Sequence, residues 1–269
     1  MRKTKIICTI GPACSTEKTM TELCQAGMNV ARLNFSHGTH EQHLEMINLI
    51  KGVREKLNMP IAIMLDTKGP EYRIRTFKDS KISLEDGDTF TFTTKEVEGD
   101  NTVVGVTYKG MVNDLSVGDK ITVNNGLVIF EVKELTDTDA ICKVLVGGEL
   151  SNSKSMSFPN KVLNQKYLSE QDKRDLLFGI QNDVDFVACS FVSRRQDLID
   201  VKTFLKENGG ERIDIIAKIE NRSGVDNIEE ICQECDGIMV ARGDLGVEIP
   251  FEEVPSVQKY LIKIGRAHV

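Results

Sequence analysis

Two apolar stretches of the sequence end in charged residues whose types and spacing suit the binding of a metal ion and a phosphate group. They are IIAKIEN, at residues 215–221, and DGIMVARGDLGVEIP, at residues 236–250. An apolar run that ends in charged side chains is typical of a buried parallel strand with a site at its carboxyl end. Lys218 and Glu220 lie two positions apart, so on a strand their side chains point to the same face. The first stretch therefore predicts an ammonium group beside a carboxylate.

Asp244 follows the second apolar run and supplies a second carboxylate if the two strands are neighbours. Two carboxylates and an ammonium group suit Mg²⁺ with a phosphorylated substrate, because Mg²⁺ takes one or two carboxylates and completes its shell with water and ligand oxygens. An isolated Lys-Ile-Glu triplet can also be a structural ion pair, since such pairs perturb charge in the same way. The chemistry therefore depends on the elements that carry these residues.

Composition limits the classes of protein that fit. The chain has 269 residues, of which 40% are hydrophobic and 28% charged, with a net charge of -7. The negative charge argues against nucleic acid as the main partner and favours a small molecule. No apolar run approaches the roughly 20 residues of a membrane helix, so neither secretion nor membrane insertion is predicted. Seven cysteines, an odd number mostly inside apolar segments, predict reduced thiols and a cytoplasmic location.

Strands and helices alternate at the start of the chain, with helices expected at 16–26 and 40–57. From about residue 70 to 166, short runs such as KISL and KITVNNGLVIFEVKEL, separated by Gly- and Asp-containing turns, predict an antiparallel β module. The alternation resumes at LSEQDKRDLLFGI, where Ser169 is expected to cap a helix. Strands follow at DFVACSF, IDIIAKIE and GIMVAR.

This organisation predicts an α/β fold, a (β/α)₈ TIM-type barrel that is incomplete and carries an inserted antiparallel β-barrel domain. A closed barrel typically needs about 250 residues before insertions, whereas about six strands are present here. The predicted domains are 1–69 and 167–263 for the barrel and 70–166 for the insertion. The last segment, IGRAHV at 264–269, resembles a translated sequencing adapter, so we expect a non-native tail on a truncated chain.

From Lys3 to about Lys263 the sequence resembles the pyruvate kinase family. The resemblance is carried, in the family's order and spacing, by TKIICTIGP, NVARLNFSHG, LDTKGPE, FPN, LSEQDKRDLLFG, AKIEN and DGIMVARGDLGVEIP. In that family a (β/α)₈ domain carries a small β domain after its third strand and precedes a regulatory domain. The resemblance implies transfer of the phosphoryl group of phosphoenolpyruvate to ADP in glycolysis, giving pyruvate and ATP, with Mg²⁺ and K⁺ as cofactors. It also implies a homotetramer for the full-length protein.

The resemblance implies roles for individual residues. Lys218 and Arg32 would stabilise the phosphoryl group, and Gly243 and Asp244 would approach the rest of the substrate. Arginine's planar fork suits phosphate. The implied Mg²⁺ ligands are Glu220 and Asp244, the implied K⁺ ligands are Asn34, Ser36, Asp66 and Thr67, and the implied nucleotide-binding residues are Asn34, His37, Arg73 and Lys154. Glu71 matches a position that is glutamate in K⁺-dependent members, so K⁺ dependence is predicted.

Some assignments stay open at this level. The segment GPEYRIRTF offers both Arg73 and Arg75 to the nucleotide, although an ungapped alignment favours Arg73. Asn124 and Asn125 stand where the family usually has two aspartates, which could alter closure of the inserted domain or the response to ADP.

Two alternatives to phosphoryl transfer remain open, a different enzyme activity and an inactive fragment. A Mg²⁺-dependent lyase or aldolase also holds carboxylates on Mg²⁺ at strand ends, but such an enzyme needs no lid for ADP. The other reading is an inactive fragment, because a partial barrel exposes two sheet edges. We therefore expect the 269-residue chain alone to have little or no activity.

Overall fold

The first part of the chain alternates short strands with amphipathic helices, as the sequence predicts. The computed structural model describes residues 3–161, 163 and 166–267. Its first elements are β1 (Ile7–Thr9), α1 (Glu17–Ala26), β2 (Val30–Asn34), α2 (His40–Leu57) and β3 (Ala62–Asp66). Thr16 and Thr39 cap the two helices, because each hydroxyl accepts a backbone N–H from the first turn. Both predicted helices are confirmed within one residue.

Residues after β3 form a separate, mostly antiparallel β module. Its elements are β4 (Tyr72–Arg73), β5 (Lys81–Leu84), β6 (Thr89–Thr93), β7 (Val103–Gly105), α3 (Met111–Asp114), β8 (Lys120–Val123), β9 (Val128–Leu135), β10 (Asp139–Val146), β11 (Gly148–Ser151) and β12 (Ser155–Ser157). The main sheet has the order β4-β12-β8-β9-β10-β6-β7, and β5 pairs with β11 apart from it. Phe90, Phe92 and Phe130 are fully buried and pack against one another at its centre.

One predicted run is wrong in its extent. KITVNNGLVIFEVKEL is not a single strand but a hairpin, in which β8 and β9 pair antiparallel. Asn124, Asn125 and Gly126 between them all have positive φ, at 57°, 57° and 82°. Asparagine and glycine are the residues that most readily adopt this left-handed conformation, so the turn was encoded in the sequence.

The strand and helix alternation resumes after the module. Its elements are α4 (Glu170–Gln181), β13 (Phe186–Cys189), α5 (Arg195–Glu207), β14 (Asp214–Ile219), α6 (Arg222–Asp226), α7 (Ile228–Cys232), β15 (Gly237–Val240), α8 (Arg242–Glu248) and α9 (Val254–Ala267). The Ser169 hydroxyl accepts the Asp172 N–H and caps α4, as predicted. Helix α9 extends into the predicted tail at 264–269, whose last two residues lie outside the described residues.

The six strands outside the module form one parallel sheet. Their order is β1-β2-β3-β13-β14-β15, so strands that follow one another in this part of the chain are neighbours. One face packs against the helices through a large apolar cluster that includes Ile63, Leu65 and Ile219. The opposite face begins with a smaller cluster that includes Val30, Met64 and Ala188, with Ile216 against it. Because side chains alternate along a strand, the residues two and four positions further on continue this second face. They are Arg32 and Asn34, Asp66, Ser190, and Lys218 and Glu220.

Position 69, just after β3, requires a glycine because of both its backbone conformation and its close neighbours. Its φ is 65°, and a Cβ built there would lie 2.7 Å from the backbone oxygen of Ser190. We expect Gly69→Ala to lower the free energy of unfolding by about 2 to 4 kcal/mol, because left-handed backbone and overpacking both add cost. Gly87 is the matched control, since its φ is 93° but nothing lies within 4 Å of the added Cβ. Urea denaturation of both variants checks this, and equal losses would contradict the role of the Ser190 contact.

Candidate active site

A buried ammonium group lies between two carboxylates at the carboxyl ends of β3 and β14. Lys218 Nζ is 3.0 Å from Asp66 Oδ1 and 3.0 Å from Glu220 Oε1. All three residues are less than a tenth exposed. The pairing follows from strand geometry, because Lys218 and Glu220 share a face and β13, which lies between β3 and β14, is followed by the small residue Ser190. The predicted juxtaposition of cation and carboxylate is therefore confirmed.

Arg32 adds a second cation to the same cluster. Its Nε donates to Asp66 Oδ2 at 2.6 Å, a second guanidinium nitrogen contacts the same oxygen, and Nη1 donates to the Thr9 hydroxyl at 2.7 Å. Asp66 therefore accepts from an arginine on one oxygen and a lysine on the other. The part of the Arg32 side chain that stays exposed can meet an anion.

The two charged groups at the end of β14 have shifted pKa values. Burial tends to lower the pKa of Lys218, but Glu220 and Asp66 outweigh it and raise the pKa above its ordinary value. Burial raises the pKa of Glu220 to about 7, and Asp244 adds to this, while Lys218 opposes it. Lys218 therefore stays charged, and Glu220 is a carboxyl group poised to lose its proton when positive charge arrives.

Glu220 and Asp244 are suited to share a cation. Strands β14 and β15 are neighbours, and Asp244 follows β15 in the first turn of α8, where it is exposed. Its charge raises the pKa of Glu220, so the two carboxylates repel one another. A divalent cation would relieve that repulsion. Within the described residues, no group of three or more His, Cys, Asp or Glu side chains is arranged for a metal ion. Mg²⁺ prefers a set of ligands in which the protein supplies one or two carboxylates and water and substrate supply the remaining oxygens.

The candidate K⁺ ligands lie around the ends of β2 and β3. Asn34 is opposite Asp66 in the register, and Asn34 Oδ1 accepts the Ser36 N–H at 3.0 Å. The Thr67 hydroxyl donates to the Ala188 carbonyl at 3.3 Å and accepts the Ser190 N–H at 3.2 Å, and the Thr67 carbonyl lies 2.7 Å from the Ser190 hydroxyl. The candidate ligand atoms that these residues offer to K⁺ are oxygens, which suit a hard cation.

A cavity of about 380 Å³ lies beside the charged cluster, between the parallel sheet and the β module. From the module it is lined by Arg73, Asn124, Asn125 and Lys154, and from the other part by Phe191, Asn221 and Asp244, among others. Lys218, Glu220 and Asp66 lie behind this lining: the Phe191 N–H donates to Glu220 Oε2 at 2.6 Å. The cavity therefore brings two of the predicted nucleotide-binding residues to the side of the predicted metal ligands.

The two candidate arginines differ in position. Arg73 pairs with Glu71 at 2.6 Å and lines the cavity beside it. Arg75 pairs with Glu96 at 3.3 Å and is not among the residues that line this cavity. The geometry favours Arg73 for a ligand in the cavity. His37 is exposed and outside the described lining, with its carbonyl 2.9 Å from the His43 ring nitrogen.

Sequence reasoning missed several residues of this site. Ser190 and Phe191 contact Lys218 and Glu220, while Ser193, Arg194, Asn227 and Glu248 line the cavity. The one available signal was the position of Ser190, two residues beyond the apolar Ala188 on the face that carries Asp66 and Lys218.

Glu248, at the end of α8, yields a pH-dependent prediction. Burial raises its pKa to about 7 from 4.5, although a hydrogen bond with Ser157 of the module opposes the shift. Between these values the folded protein holds a proton that the unfolded chain has released, so this group costs stability as pH rises through the window. We expect Glu248→Gln to stabilise the protein at pH 8 by about 1 to 3 kcal/mol and to have little effect below pH 4.5.

Urea denaturation of wild type and variant at pH 4 and pH 8 measures this difference. Glu252→Gln is the matched control, because Glu252 is exposed on the neighbouring turn. A Glu248→Gln variant that follows the wild-type pH profile would contradict the assignment.

Comparison with known proteins agrees with this architecture. The family model of the pyruvate kinase barrel domain matches residues 1–268. A pyruvate kinase of Clostridium perfringens is 47% identical over 264 residues, which cover 98% of this chain and 56% of that protein. A pyruvate kinase of Staphylococcus haemolyticus is 48% identical over 265 residues, covering 98% of this chain and 45% of that protein. The chain belongs to the pyruvate kinase family. It spans about half the length of the curated relatives it matches.

None of the helices in the described part of the chain is both long enough and apolar enough to span a membrane. All seven cysteines lie in the described part, and each is a free thiol.

Proposed function

We propose that this chain carries the phosphoryl-transfer site of a pyruvate kinase, which moves the phosphoryl group of phosphoenolpyruvate to ADP and yields pyruvate and ATP. The observation that carries the proposal is the buried Lys218 ammonium between Asp66 and Glu220, beside a cavity that Arg73 and Lys154 also line. Phosphoryl transfer needs positioned reactants and positive charge near the equatorial oxygens, and these groups supply both.

Each residue has a part in this reaction. Lys218 and Arg32 offset negative charge on the phosphoryl group, and their shared partner Asp66 keeps the two cations in place. Gly243 has nothing within 4 Å of an added Cβ, so substrate can approach this backbone closely. Arg73, Lys154 and His37 bind the nucleotide, with Asn34 contributing from the end of β2.

Two cations complete the proposed site. Glu220 and Asp244 would hold Mg²⁺, which would supply positive charge against the negative charge of the substrate. Asn34, Ser36, Asp66 and Thr67 would hold K⁺. The pairing of Glu71 with Arg73 fits the predicted K⁺ dependence. Since the Glu71 carboxylate already neutralises the Arg73 guanidinium, K⁺ would supply the positive charge there.

We also propose the domain organisation, the location and the oligomeric state of the protein. The parallel sheet would be six strands of a (β/α)₈ barrel formed by 1–69 and 167–263, with the β-barrel domain at 70–166 inserted after its third strand. β1 and β15 lie at the two edges of this sheet, and relatives are about twice as long, so we propose that these 269 residues alone have little or no activity. A cytoplasmic location fits the free thiols. A homotetramer is proposed for the full-length protein.

The assay for this function measures ADP-dependent pyruvate formation from phosphoenolpyruvate with Mg²⁺ and K⁺. It is run on the 269-residue chain and on the longest polypeptide that the gene encodes. We expect turnover in the longer polypeptide that needs ADP and both cations. Cleavage of oxaloacetate without ADP would support a lyase instead, and a rate in the short chain equal to that of the longer one would refute its proposed inactivity.

A further inference from the structure

Ser190 is a buried residue that contacts the candidate catalytic lysine directly. It directly follows β13 and is 3% exposed. Its hydroxyl accepts a hydrogen bond from Lys218 Nζ at 2.7 Å. The single hydroxyl proton can go to the Thr67 carbonyl at 2.7 Å or to Asp66 Oδ1 at 3.2 Å. Ser190 therefore gives Lys218 a third polar partner, in addition to Asp66 and Glu220.

The same residue contacts both segments that join the β module to the parallel sheet. On the entering segment, the Ser190 N–H donates to the Thr67 hydroxyl at 3.2 Å, and Gly69 packs against the Ser190 carbonyl. On the leaving segment, the buried Tyr167 hydroxyl donates to that carbonyl at 2.6 Å. These segments are about a hundred residues apart in sequence, yet they meet at one residue.

Phe191, the residue after Ser190, makes a similar contact with Glu220, at the other end of the Lys-Ile-Glu triplet. Phe191 has a φ of 56°, which a bulky side chain rarely adopts, and its N–H donates to Glu220 Oε2 at 2.6 Å. Left-handed backbone of this kind persists where surrounding contacts over-determine it, and it concentrates at functional sites. Ser190 and Phe191 thus hold Lys218 and Glu220 as a pair.

We propose that Ser190 is a positioning residue that connects the Lys218 ammonium to the two hinge segments of the β module, at Thr67–Gly69 and at Tyr167. A movement of the module displaces Thr67 or Tyr167, and Ser190 passes that displacement to Lys218. The consequence for turnover rests on the proposed function, whereas the physical connection does not. Ser190 does not touch the reacting group in this role, so it is not itself catalytic.

The connection is tested first on the 269-residue chain, without any assay of turnover. Lysines are acetylated and quantified by mass spectrometry in wild type, Ser190→Ala, Ser190→Thr and Tyr167→Phe. We expect Lys218 to react about tenfold faster in Ser190→Ala, since a hydrogen bond to a charged group is lost. Exposed Lys202 is the internal reference and should not change. Threonine restores the hydroxyl and should restore the slow reaction.

Hydrogen exchange on the same variants tests the link to the hinges. In Ser190→Ala the amides of Thr67 and Gly69 and those of the segment after Tyr167 should exchange about tenfold faster, while the centre of the module is unchanged. Thr93→Val, which removes a buried hydroxyl inside the module, is the matched control and should leave both hinges protected. Unchanged Lys218 labelling and hinge exchange in Ser190→Ala would overturn the proposal, as would equal loss of protection everywhere.

Kinetics of the longest encoded polypeptide then test the consequence. We expect Ser190→Ala to lower kcat by about 10- to 100-fold with little change in KM for phosphoenolpyruvate, because a small misplacement of a catalytic group acts mainly on the transition state. Tyr167→Phe should lower kcat less, and Ser190→Thr should recover most of it. If the wild type shows no turnover, the proposed function fails, and the labelling and exchange results still decide the connection. An active Ser190→Ala with wild-type kcat would overturn the positioning role.

Discussion

Replacement of Lys218 by alanine is expected to lower phosphoryl transfer by about 10³-fold, close to the limit of detection. The reason is electrostatic: the Lys218 ammonium is the buried cation at the carboxyl end of β14, 3.0 Å from both Asp66 and Glu220. A preorganised charge in a buried site stabilises a transition state far more than one in water, and loss of a single donor typically costs about 10² to 10³ in rate. Pyruvate formation in the longest encoded polypeptide measures the loss.

The same substitution also affects stability, so the assay needs controls. Removing one member of a buried ion pair costs about 3 to 5 kcal/mol, because the remaining charge is left uncompensated. Turnover is therefore measured under conditions where circular dichroism shows the variant to be folded. Mg²⁺ binding should persist in Lys218→Ala, since both acidic side chains remain. Lys202→Ala is the matched control, because this exposed lysine pairs with Glu234 and neither residue lines the cavity. Turnover that survives in Lys218→Ala would refute its role.

The charged cluster was predictable because strand geometry is periodic. Lys218 and Glu220 share a face on any strand, and the parallel order of β3, β13 and β14 brings their ends to one edge. The same alternation takes Val30 to Arg32 and Met64 to Asp66, from an apolar cluster to the polar end of each strand. Sequence pattern therefore predicts both the sheet and the side chains that meet at its edge.

The cavity was not predictable in the same way, because its walls come from segments far apart in the chain. Nothing local distinguishes Ser190 from other serines at strand ends, and its importance depends on Thr67, Tyr167 and Lys218 meeting there. Glu248 likewise becomes significant through burial against Ser157 of the module. Contacts of this kind are set by packing between units, which no local period encodes.

Helix α8 was not predicted from the sequence pattern. Asp244 follows an apolar strand in the sequence, but the structure has it in the first turn of a helix. A carboxylate at that position is favoured by the helix dipole, so local stability alone would explain it. The pKa of Glu220 gives a second reason for interest, because Asp244 raises it. The electrostatic link between the two acids supports the pair that the sequence predicts.

That pair leads to a prediction for Mg²⁺ binding. We expect Glu220→Gln to weaken Mg²⁺ binding by about 100-fold or more, because an amide supplies a neutral oxygen where a carboxylate is preferred. Isothermal titration calorimetry with the folded chain measures the affinity without any assay of turnover. Glu252→Gln, an exposed control, should bind Mg²⁺ as the wild type does. A Glu220→Gln variant with wild-type affinity would move the metal site elsewhere.

The pH dependence of this binding provides an independent check on the same residue. Glu220 has a pKa of about 7, so below that pH it carries a proton that Mg²⁺ must displace. The wild-type affinity for Mg²⁺ should therefore rise by up to about tenfold per pH unit as pH increases towards 7, and level off above it. In Glu220→Gln that rise should disappear, since glutamine has no proton to release in this range. A slope that persists in the variant would assign the titration to another group, and Glu220 would then be a structural partner of Lys218 rather than a ligand of the metal.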